Sequence, residues 1–381
     1  MDRRNFLRIA GGGVVLAAAG GCSEALPAGA LTAWKGPAAG ETELRRWVLS
    51  YALLAPHSHN LQSWRADLSR PGEILLSCDL ARTLPETDPF GRQIVMSHGT
   101  FLGLLELAAR ERGHRAEIEA FPEGVFGPER LDTRPLARVR LIPDAGVRRD
   151  PLFAQVLRRH TNREAYAERA PSPEGLRGIA DAAQAPGLRV GFTSGDAAQL
   201  AAHRRLASKA WRIELTTPRT ILESYKWLRI GPSEIERHRD GISINAPMLR
   251  LVDAIGLFDR TKAPAPGDRA TVQQLEDFDR KIATTPAFFW LVSEGNDRIT
   301  QLRAGSAYVR AQLAATAHGL SMQPLSQALQ EYPEQASTYA GIHALAGAKP
   351  GQTVQMWTRL GYGPVIAPAP RRGLQAQLVG A

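Results

Sequence analysis

The hydrophobic positions of the first half of the chain predict a strand, a helix and a closing strand, in that order. Residues 73–78 form a short extended run, and a Pro- and Asp-rich linker follows them. Residues 97–112 then carry a long apolar pattern that Gly113 ends, which predicts a helix. The extended segments after this helix end with a predicted strand at residues 137–142.

The second half repeats this order. A strand is predicted at residues 288–292, a helix at 299–318 that Gly319 ends, and a closing strand at 354–360. Both helices are apolar over most of their surface, which is typical of central helices packed on every side. Strand–helix–strand units recur in many α/β chains, so the shared order alone does not establish a duplication.

The stretch between these units reads as an insertion. Residues 211–282 contain helical pieces rich in Arg and Trp, separated by turn signals such as Gly231-Pro232 and Asp240-Gly241. Long connections of this kind are often functional and cover an active site. We therefore expect a first unit at residues 41–145 and a second at 146–381, with a lid-like insertion at about 211–282.

Composition narrows the classes of protein. Of the 381 residues, 44% are hydrophobic and 22% charged, which is ordinary for a globular chain, and no apolar run reaches eighteen residues. A net charge of +9 favours a polyanionic partner such as nucleic acid. The basic residues are scattered among acidic ones, however, so we expect no nucleic-acid partner. The two cysteines, Cys22 and Cys78, offer neither a disulfide framework nor a cysteine-rich zinc site.

The first thirty residues predict an export signal. Arg3 and Arg4 precede a weakly apolar stretch with three consecutive glycines at residues 11–13, which is typical of a twin-arginine signal and poor for a folded helix. Two processing routes remain open: a lipid anchor at Cys22, or cleavage near Ala30 after an Ala-x-Ala sequence. Either route predicts a periplasmic or envelope-associated protein, without a membrane span.

Three motifs carry the candidate chemistry. The first is the loop at residues 55–64, APHSHNLQSW; the second is the RHTNR run at residues 159–163; the third is the basic pair Arg371-Arg372 in a proline-rich tail. An Arg, a hydroxyl and a second Arg form a strong receptor for a dianion, although each short motif also arises by chance. The His57-x-His59 pair has no acid or Cys beside it, so we expect no metal site.

In their order and spacing these motifs resemble the nitroreductase superfamily, and most closely its fused, two-repeat Acg-like branch. Pro56, Ser58, Asn60, Gln62 and Trp64 match the loop that grips the flavin in that family, whereas the histidine at position 57 and the serine at position 63 depart from the commoner Ser and Pro. The resemblance covers the chain from about residue 41 onward.

The resemblance implies an α+β fold of antiparallel sheets and central helices, with two repeats that form a pseudo-dimer in one chain, and FMN as cofactor. The residues that it implies for FMN binding come from all three motifs. They are His57, Ser58, Asn60, Gln62, Arg159, His160, Thr161, Arg163, Arg371 and Arg372. Since each repeat has only half of the usual motifs, one FMN per monomer is expected.

The leading hypothesis is an oxidoreductase that passes electrons through FMN from a reduced small-molecule donor to a nitro compound, a quinone or a similar acceptor. The flavin carries this chemistry, so no catalytic side chain is expected, and the sequence shows no nucleophile motif. The alternative is a flavin-binding or flavin-sequestering protein with little turnover. In it, part of the insertion, around residues 227–244, lies over the flavin or in the vacated flavin pocket of the second repeat; over the flavin it would exclude NADPH. A nucleic-acid binder would have charge alone to support it.

Overall fold

Two sheets, each with one long helix, organise the chain in this computed structural model, which describes residues 25–379. The first half supplies α1 and α2 and four strands. They are α1 (Leu44–Ala52), β1 (Trp64–Asp67), β2 (Glu73–Cys78), α2 (Arg92–Glu111), β3 (His114–Ala120) and β4 (Ala137–Pro143). The predicted strands and the predicted central helix of this half are confirmed, with α2 beginning five residues earlier than expected.

The second half is longer. It begins with α3 (Pro173–Ala182), β5 (Leu188–Ser194) and α4 (Ala197–Thr216). The segment predicted as an insertion at 211–282 begins within α4 and continues as α5 (Pro218–Lys226), β6 (Leu228–Ile230), α6 (Gly231–His238), β7 (Ile242–Ile244), α7 (Pro247–Ala254) and α8 (Arg269–Ala283); we keep the name insertion for it. The half closes with β8 (Ala287–Glu294), α9 (Arg298–Ala317), β9 (Ser321–Pro324), α10 (Ala336–Leu345), β10 (Gln352–Gly361) and β11 (Leu378–Val379).

The sheets confirm an α+β architecture with largely antiparallel strands. The first sheet has the order β11-β1-β2-β4-β3 and the second the order β5-β8-β10-β9. Two pairings depart from the antiparallel prediction: β11 joins β1 in parallel, and β6 pairs with β7 in parallel within the insertion. Because β11 belongs to the C-terminal tail, the end of the chain completes the sheet of the first half.

The long helices α2 and α9 cross backbone to backbone at the centre. A Cβ atom on Gly99 would lie 2.0 Å from the carbonyl oxygen of Leu302, and one on Gly305 would lie 2.0 Å from that of Met96. Only glycine permits so close an approach at these two positions. The helices are buried along most of their length, as the apolar pattern predicts.

Capping residues explain where these helices begin and end. The Asp88 carboxylate accepts from the backbone N–H groups of Gln93 and Ile94, and Asp297 accepts from Thr300. Gly113 and Gly319 follow the two helices with φ of 70° and 69°, a left-handed conformation that suits glycine. Within residues 25–379, no helix has the length and apolar character that a membrane crossing requires.

Candidate functional site

The loop of residues 56–64 follows α1 and lies against α2. Thr100 donates a 2.8 Å hydrogen bond to the carbonyl of Pro56, and the backbone N–H of Ser58 donates to the Ser97 hydroxyl at 3.3 Å. Three of its residues have left-handed backbones, with φ of 47° at His59 and 53° at both Asn60 and Gln62. Such conformations cost about 1 kcal/mol or more each for residues with a Cβ, and they are typical of binding sites.

The two histidines of this loop point in different directions. The His57 Nε2 lies 2.7 Å from the Ser63 hydroxyl, whereas the His59 Nε2 lies 3.0 Å from the hydroxyl of Ser224 in α5. Burial lowers the pKa of His57 well below its usual value and that of His59 to about 4, so both rings are neutral at pH 7. Residues 25–379 bring together no group of three metal-ligating side chains.

The amide side chains of Asn60 and Gln62 join the loop to the C-terminal tail. Asn60 Oδ1 accepts from the Arg371 guanidinium at 2.5 Å, and Asn60 Nδ2 donates to the carbonyl of Pro370 at 3.0 Å. Gln62 Oε1 accepts from the backbone N–H of Arg372 at 2.8 Å. The first and third motifs, more than 300 residues apart in sequence, are therefore in direct contact.

The second motif lies in the loop after the short 3-10 helix Pro151–Gln155 and contacts α9. Arg159 donates to Gln312 Oε1 at 3.0 Å and to the Leu54 carbonyl at 2.9 Å. Gln312 Nε2 in turn lies 3.5 Å from the Thr161 hydroxyl. His160 turns away, with its ring Nδ1 2.9 Å from the carbonyl of Arg158.

Arg159 and Arg371 form a buried pair of like charges. The Arg371 guanidinium donates to the Leu54 carbonyl at 3.3 Å, the same oxygen that Arg159 contacts, and the two side chains are 4% and 2% exposed respectively. Among residues 25–379, neither arginine has a carboxylate partner, and the Nε atom of each is buried without an acceptor. Burial lowers the pKa of Arg159 to about 10, and burial and then the charge of Arg159 lower that of Arg371.

Arg163 and Arg372 have different surroundings. Arg163 is exposed to solvent, and desolvation by nearby protein lowers the pKa of its guanidinium. No hydrogen-bond partner for it occurs among the described residues. Arg372 donates to the carbonyl of Ala376 and to Gln377, away from the arginine pair. The structure thus gathers Arg159, Arg371, Asn60 and Thr161. The side chains of three other predicted residues have different partners: the His57 ring contacts Ser63, the His160 ring the Arg158 carbonyl, and the Arg372 guanidinium Ala376 and Gln377.

The insertion lies directly on the loop of residues 56–64. The backbone N–H of Gly241 donates to the carbonyl of Asn60 at 3.1 Å, and Gln62 Nε2 donates to the carbonyl of Arg239 at 2.9 Å. The buried Asp240 carboxylate pairs with Arg82 at 2.5 Å and with Arg229 at 2.8 Å. The residues that the lid hypothesis named, 227–244, therefore contact the first motif.

Two residues at this site were not predicted from the sequence. Gln312 lies on α9, where the apolar pattern gave no sign of a polar contact. Trp34 belongs to the short 3-10 helix Ala28–Lys35, and its ring lies against both Arg159 and Arg371. No local signal identifies either residue, because their partners are more than a hundred residues away along the chain.

Comparison with known proteins supports the family resemblance. No protein-family model matches the chain. The chain is 29% identical over 357 residues to proteins from two strains of Mycobacterium tuberculosis, each described as a "Putative NAD(P)H nitroreductase". The alignment covers 89% of this chain and 94% of each relative. This similarity over nearly the whole chain confirms the resemblance to nitroreductases that the motifs predict.

Similar solved structures include two nitroreductases named NfnB. The FMN and NADPH-dependent enzyme from a Sphingopyxis species aligns with 60% of this chain and 97% of its own, at 18% identity and a TM-score of 0.37. The Mycobacterium smegmatis enzyme in complex with NADPH aligns with 58% of this chain and 94% of its own, at 19% identity and a TM-score of 0.34.

Proposed function

We propose that the protein is an FMN-dependent oxidoreductase of the nitroreductase type, which passes electrons from a reduced nicotinamide donor to a small acceptor such as a nitro compound or a quinone. The observation that carries this proposal is the pair Arg159–Arg371. Two buried guanidinium groups without an acid beside them are costly unless an anion accompanies them. Their position beside a loop of amide and hydroxyl side chains suits a phosphate-bearing ring cofactor.

The residues present fit the phosphate of FMN. Arg159 and Arg371 would supply two positive charges and their unsatisfied Nε donors, and the Thr161 hydroxyl is close to Arg159 through their shared contact with Gln312. Arg163, which has no ion-pair partner among the described residues, would add a third charge. Charge-assisted hydrogen bonds of this kind favour a dianion over a neutral group.

The loop of residues 56–64 fits the polar edge of a flavin ring. Ser58, Asn60 and Gln62 offer donors and acceptors without adding charge, and the ring has both kinds of group along one edge. Bound FMN would supply the redox chemistry by accepting a hydride and passing electrons on. The left-handed backbones at Asn60 and Gln62 fix the directions of these side chains before any ligand arrives.

The names of the two mycobacterial relatives support NADH or NADPH as donor. One observation favours the second candidate function, flavin binding with little turnover. Residues 227–244 lie on the loop of residues 56–64, and there they would restrict the access of a bulky nicotinamide to the flavin.

A visible spectrum of the purified protein, followed by anaerobic addition of NADPH and then of dithionite, tests both candidate functions. Rapid bleaching by NADPH supports the enzyme, and bleaching by dithionite alone supports the binding protein. A colourless protein that fails to take up added FMN contradicts both.

One FMN per chain and a monomer with an internal pseudo-dimer remain part of this proposal. The close crossing of α2 and α9 at Gly99 and Gly305 supports it, because the two halves pack as tightly as two subunits would. The ratio of flavin to protein and the mass of the holoprotein in solution test it. Two flavins per chain, or an obligate dimer that shares its flavin, would contradict it.

Export by the twin-arginine route also remains a proposal, since its arginines and Cys22 lie outside the described residues. The contacts of residues 25–30 support processing at Cys22 over cleavage near Ala30. The carbonyl of Ala25 accepts from Asn245, and that of Ala30 accepts from the backbone N–H of Arg371. The intact mass of the protein from a periplasmic or envelope fraction tests this, and a mature chain that begins at Leu31 would contradict it.

A further inference from the structure

Trp34 lies at the arginine pair and is held there by the backbone of the tail. The centre of its ring is 5.6 Å from the Arg159 guanidinium carbon and 5.3 Å from that of Arg371. Its indole N–H donates a 2.8 Å hydrogen bond to the carbonyl of Ala369. The ring is 9% exposed, although it comes from a segment that the sequence places close to a signal peptide.

The indole offers a physical answer to the repulsion between the two arginines. The face of an aromatic ring carries partial negative charge, and Trp is the strongest cation–π partner among the side chains. A ring shared by both guanidiniums attracts each of them without neutralising either. An arginine that lies over an aromatic face also keeps its in-plane N–H groups free to bind an anion.

The segment that carries Trp34 is anchored at two points before the indole. The Ala30 carbonyl accepts from the backbone N–H of Arg371 at 3.1 Å, so the segment and the tail are joined beside the pair. The Ala25 carbonyl accepts from Asn245, just after β7 of the insertion, at 3.0 Å. These contacts fix the indole relative to Arg371 before a ligand binds, which is the condition for preorganising a site.

We propose that Trp34 is a positioning residue of the phosphate subsite: its ring holds Arg159 and Arg371 side by side, ready for the phosphate of FMN. This inference rests on the proposed function, because it assumes that the pair binds that phosphate. It predicts that Trp34 matters for FMN but hardly for riboflavin, which has the same ring without the phosphate. The N-terminal segment Ala28–Lys35 thereby belongs to the cofactor site.

The test compares Trp34→Leu with Trp34→Phe, using the full chain freed of flavin. Leucine keeps apolar volume but has no π face, whereas phenylalanine keeps a weaker face. Affinities for FMN and riboflavin are measured by flavin fluorescence quenching or calorimetry. We expect Trp34→Leu to weaken FMN about tenfold and riboflavin less than twofold, with Trp34→Phe between it and the wild type.

Trp47→Leu is the matched control. Trp47 also lies against an arginine, with 4.9 Å between its ring centre and Arg112, but it does not contact Arg159 or Arg371. The Trp47→Leu variant should therefore bind FMN and riboflavin as tightly as the wild type does. If Trp34→Leu does not fold, Trp34→Met replaces it, because a flexible thioether fills the volume without a π face.

The outcomes separate the inference from the function on which it rests. If the wild type binds FMN no more tightly than riboflavin, the phosphate assignment itself fails. If the wild type prefers FMN and the Leu or Met variant keeps that preference in full, the positioning role is wrong. Equal losses for FMN and riboflavin would also overturn it, because they would show a general structural effect.

Discussion

Two buried clusters in this protein, one around Arg92 and one around Arg159 and Arg371, differ in chemistry. Arg92, at the start of α2, donates to the Glu331 carboxylate, to the Gln355 side chain and to the Leu329 carbonyl, and each of its nitrogens has a partner. Arg159 and Arg371 share a carbonyl and have no acid, and each has a buried Nε without an acceptor. Burial therefore does not distinguish a structural arginine from a binding one; the balance of donors and acceptors does.

The difference indicates what each cluster does. A buried polar network with every member satisfied stabilises one conformation of the core. A cluster with surplus donors and surplus positive charge favours a state in which an anion is present. Under the proposed function the first cluster belongs to the fold and the second binds the ligand, so substitutions in the first should reduce stability and substitutions in the second should reduce affinity for FMN.

The largest effect is expected from Arg92→Gln. Removing this guanidinium leaves the Glu331 carboxylate and the Leu329 carbonyl without their partner, which should lower the free energy of unfolding by about 3 kcal/mol. By contrast, Arg371→Gln should lower the stability of the flavin-free protein much less, because relief of the repulsion with Arg159 offsets the lost hydrogen bonds to Asn60, Leu54 and Ala55, while FMN affinity falls about a hundredfold. Urea unfolding of both flavin-free variants and FMN titration measure this.

The contrast between the two clusters is wrong if Arg371→Gln affects stability and leaves FMN binding intact. An Arg371→Gln protein that unfolds as easily as Arg92→Gln, and that binds FMN normally once folded, would make the pair structural. Riboflavin titration is the control for Arg371→Gln, since loss of a phosphate contact should not affect a ligand without phosphate.

Arg163→Ala extends the comparison to an arginine that solvent reaches. Removing one charge-assisted contact worth roughly 1.5–3 kcal/mol should weaken FMN binding about tenfold to a hundredfold. Arg158→Ala is the matched control, because Arg158 is an exposed neighbour whose side chain, within residues 25–379, hydrogen-bonds only to Gln155. Equal FMN retention by the two variants would remove Arg163 from the phosphate site.

A third arrangement of arginines holds the insertion in place. Asp240 is 1% exposed and accepts from both Arg82 and Arg229, so Asp240→Asn should loosen residues 227–244 from the loop beneath them. We expect FMN to be retained and the rate of its reduction by NADPH to rise about fivefold, as for a lid that opens more often. Asp253→Asn, which disturbs a half-buried pair with Arg260 away from the loop of residues 56–64, should leave the rate unchanged. A rate for Asp240→Asn equal to that of the wild type would refute the lid.

The sequence predicted those features that local pattern determines. The helices α2 and α9 are long apolar runs ended by glycine, and β2, β8 and β10 are extended runs of apolar residues with some polar ones, so the pattern predicted their positions. The start of α2 at Arg92 was missed because a buried arginine interrupts the apolar pattern. Its partner Gln355 is 263 residues away along the chain, and no local rule anticipates such compensation.

The sequence predicted the three motifs of the candidate site but not how they are arranged in space. The loop, the RHTNR run and the tail were each visible in the sequence. The choice between Arg371 and Arg372 could not be made, because it depends on which of the two side chains the tail directs toward Arg159. The proline-rich tail has no periodicity from which that direction could be read. Trp34 was hidden for a related reason, because a single indole near the N-terminus has no pattern until the fold brings it to Arg159.

The smallest effect concerns the flavin-free protein, and it tests the contrast between the clusters without any flavin. If Arg159 and Arg371 bind a phosphate group, inorganic phosphate should bind there weakly and stabilise the folded state by mass action. At ten times its dissociation constant the gain is about 1.4 kcal/mol, a rise of about 2 °C in Tm for a chain of this size. Phosphate also stabilises proteins by exclusion from their surface, so the measure is the difference between the wild type and Arg371→Gln at matched ionic strength in sodium chloride. A wild-type Tm that rises no more than that of Arg371→Gln would show that the surplus donors do not form an anion site, and the two clusters would then differ only in how well they are packed.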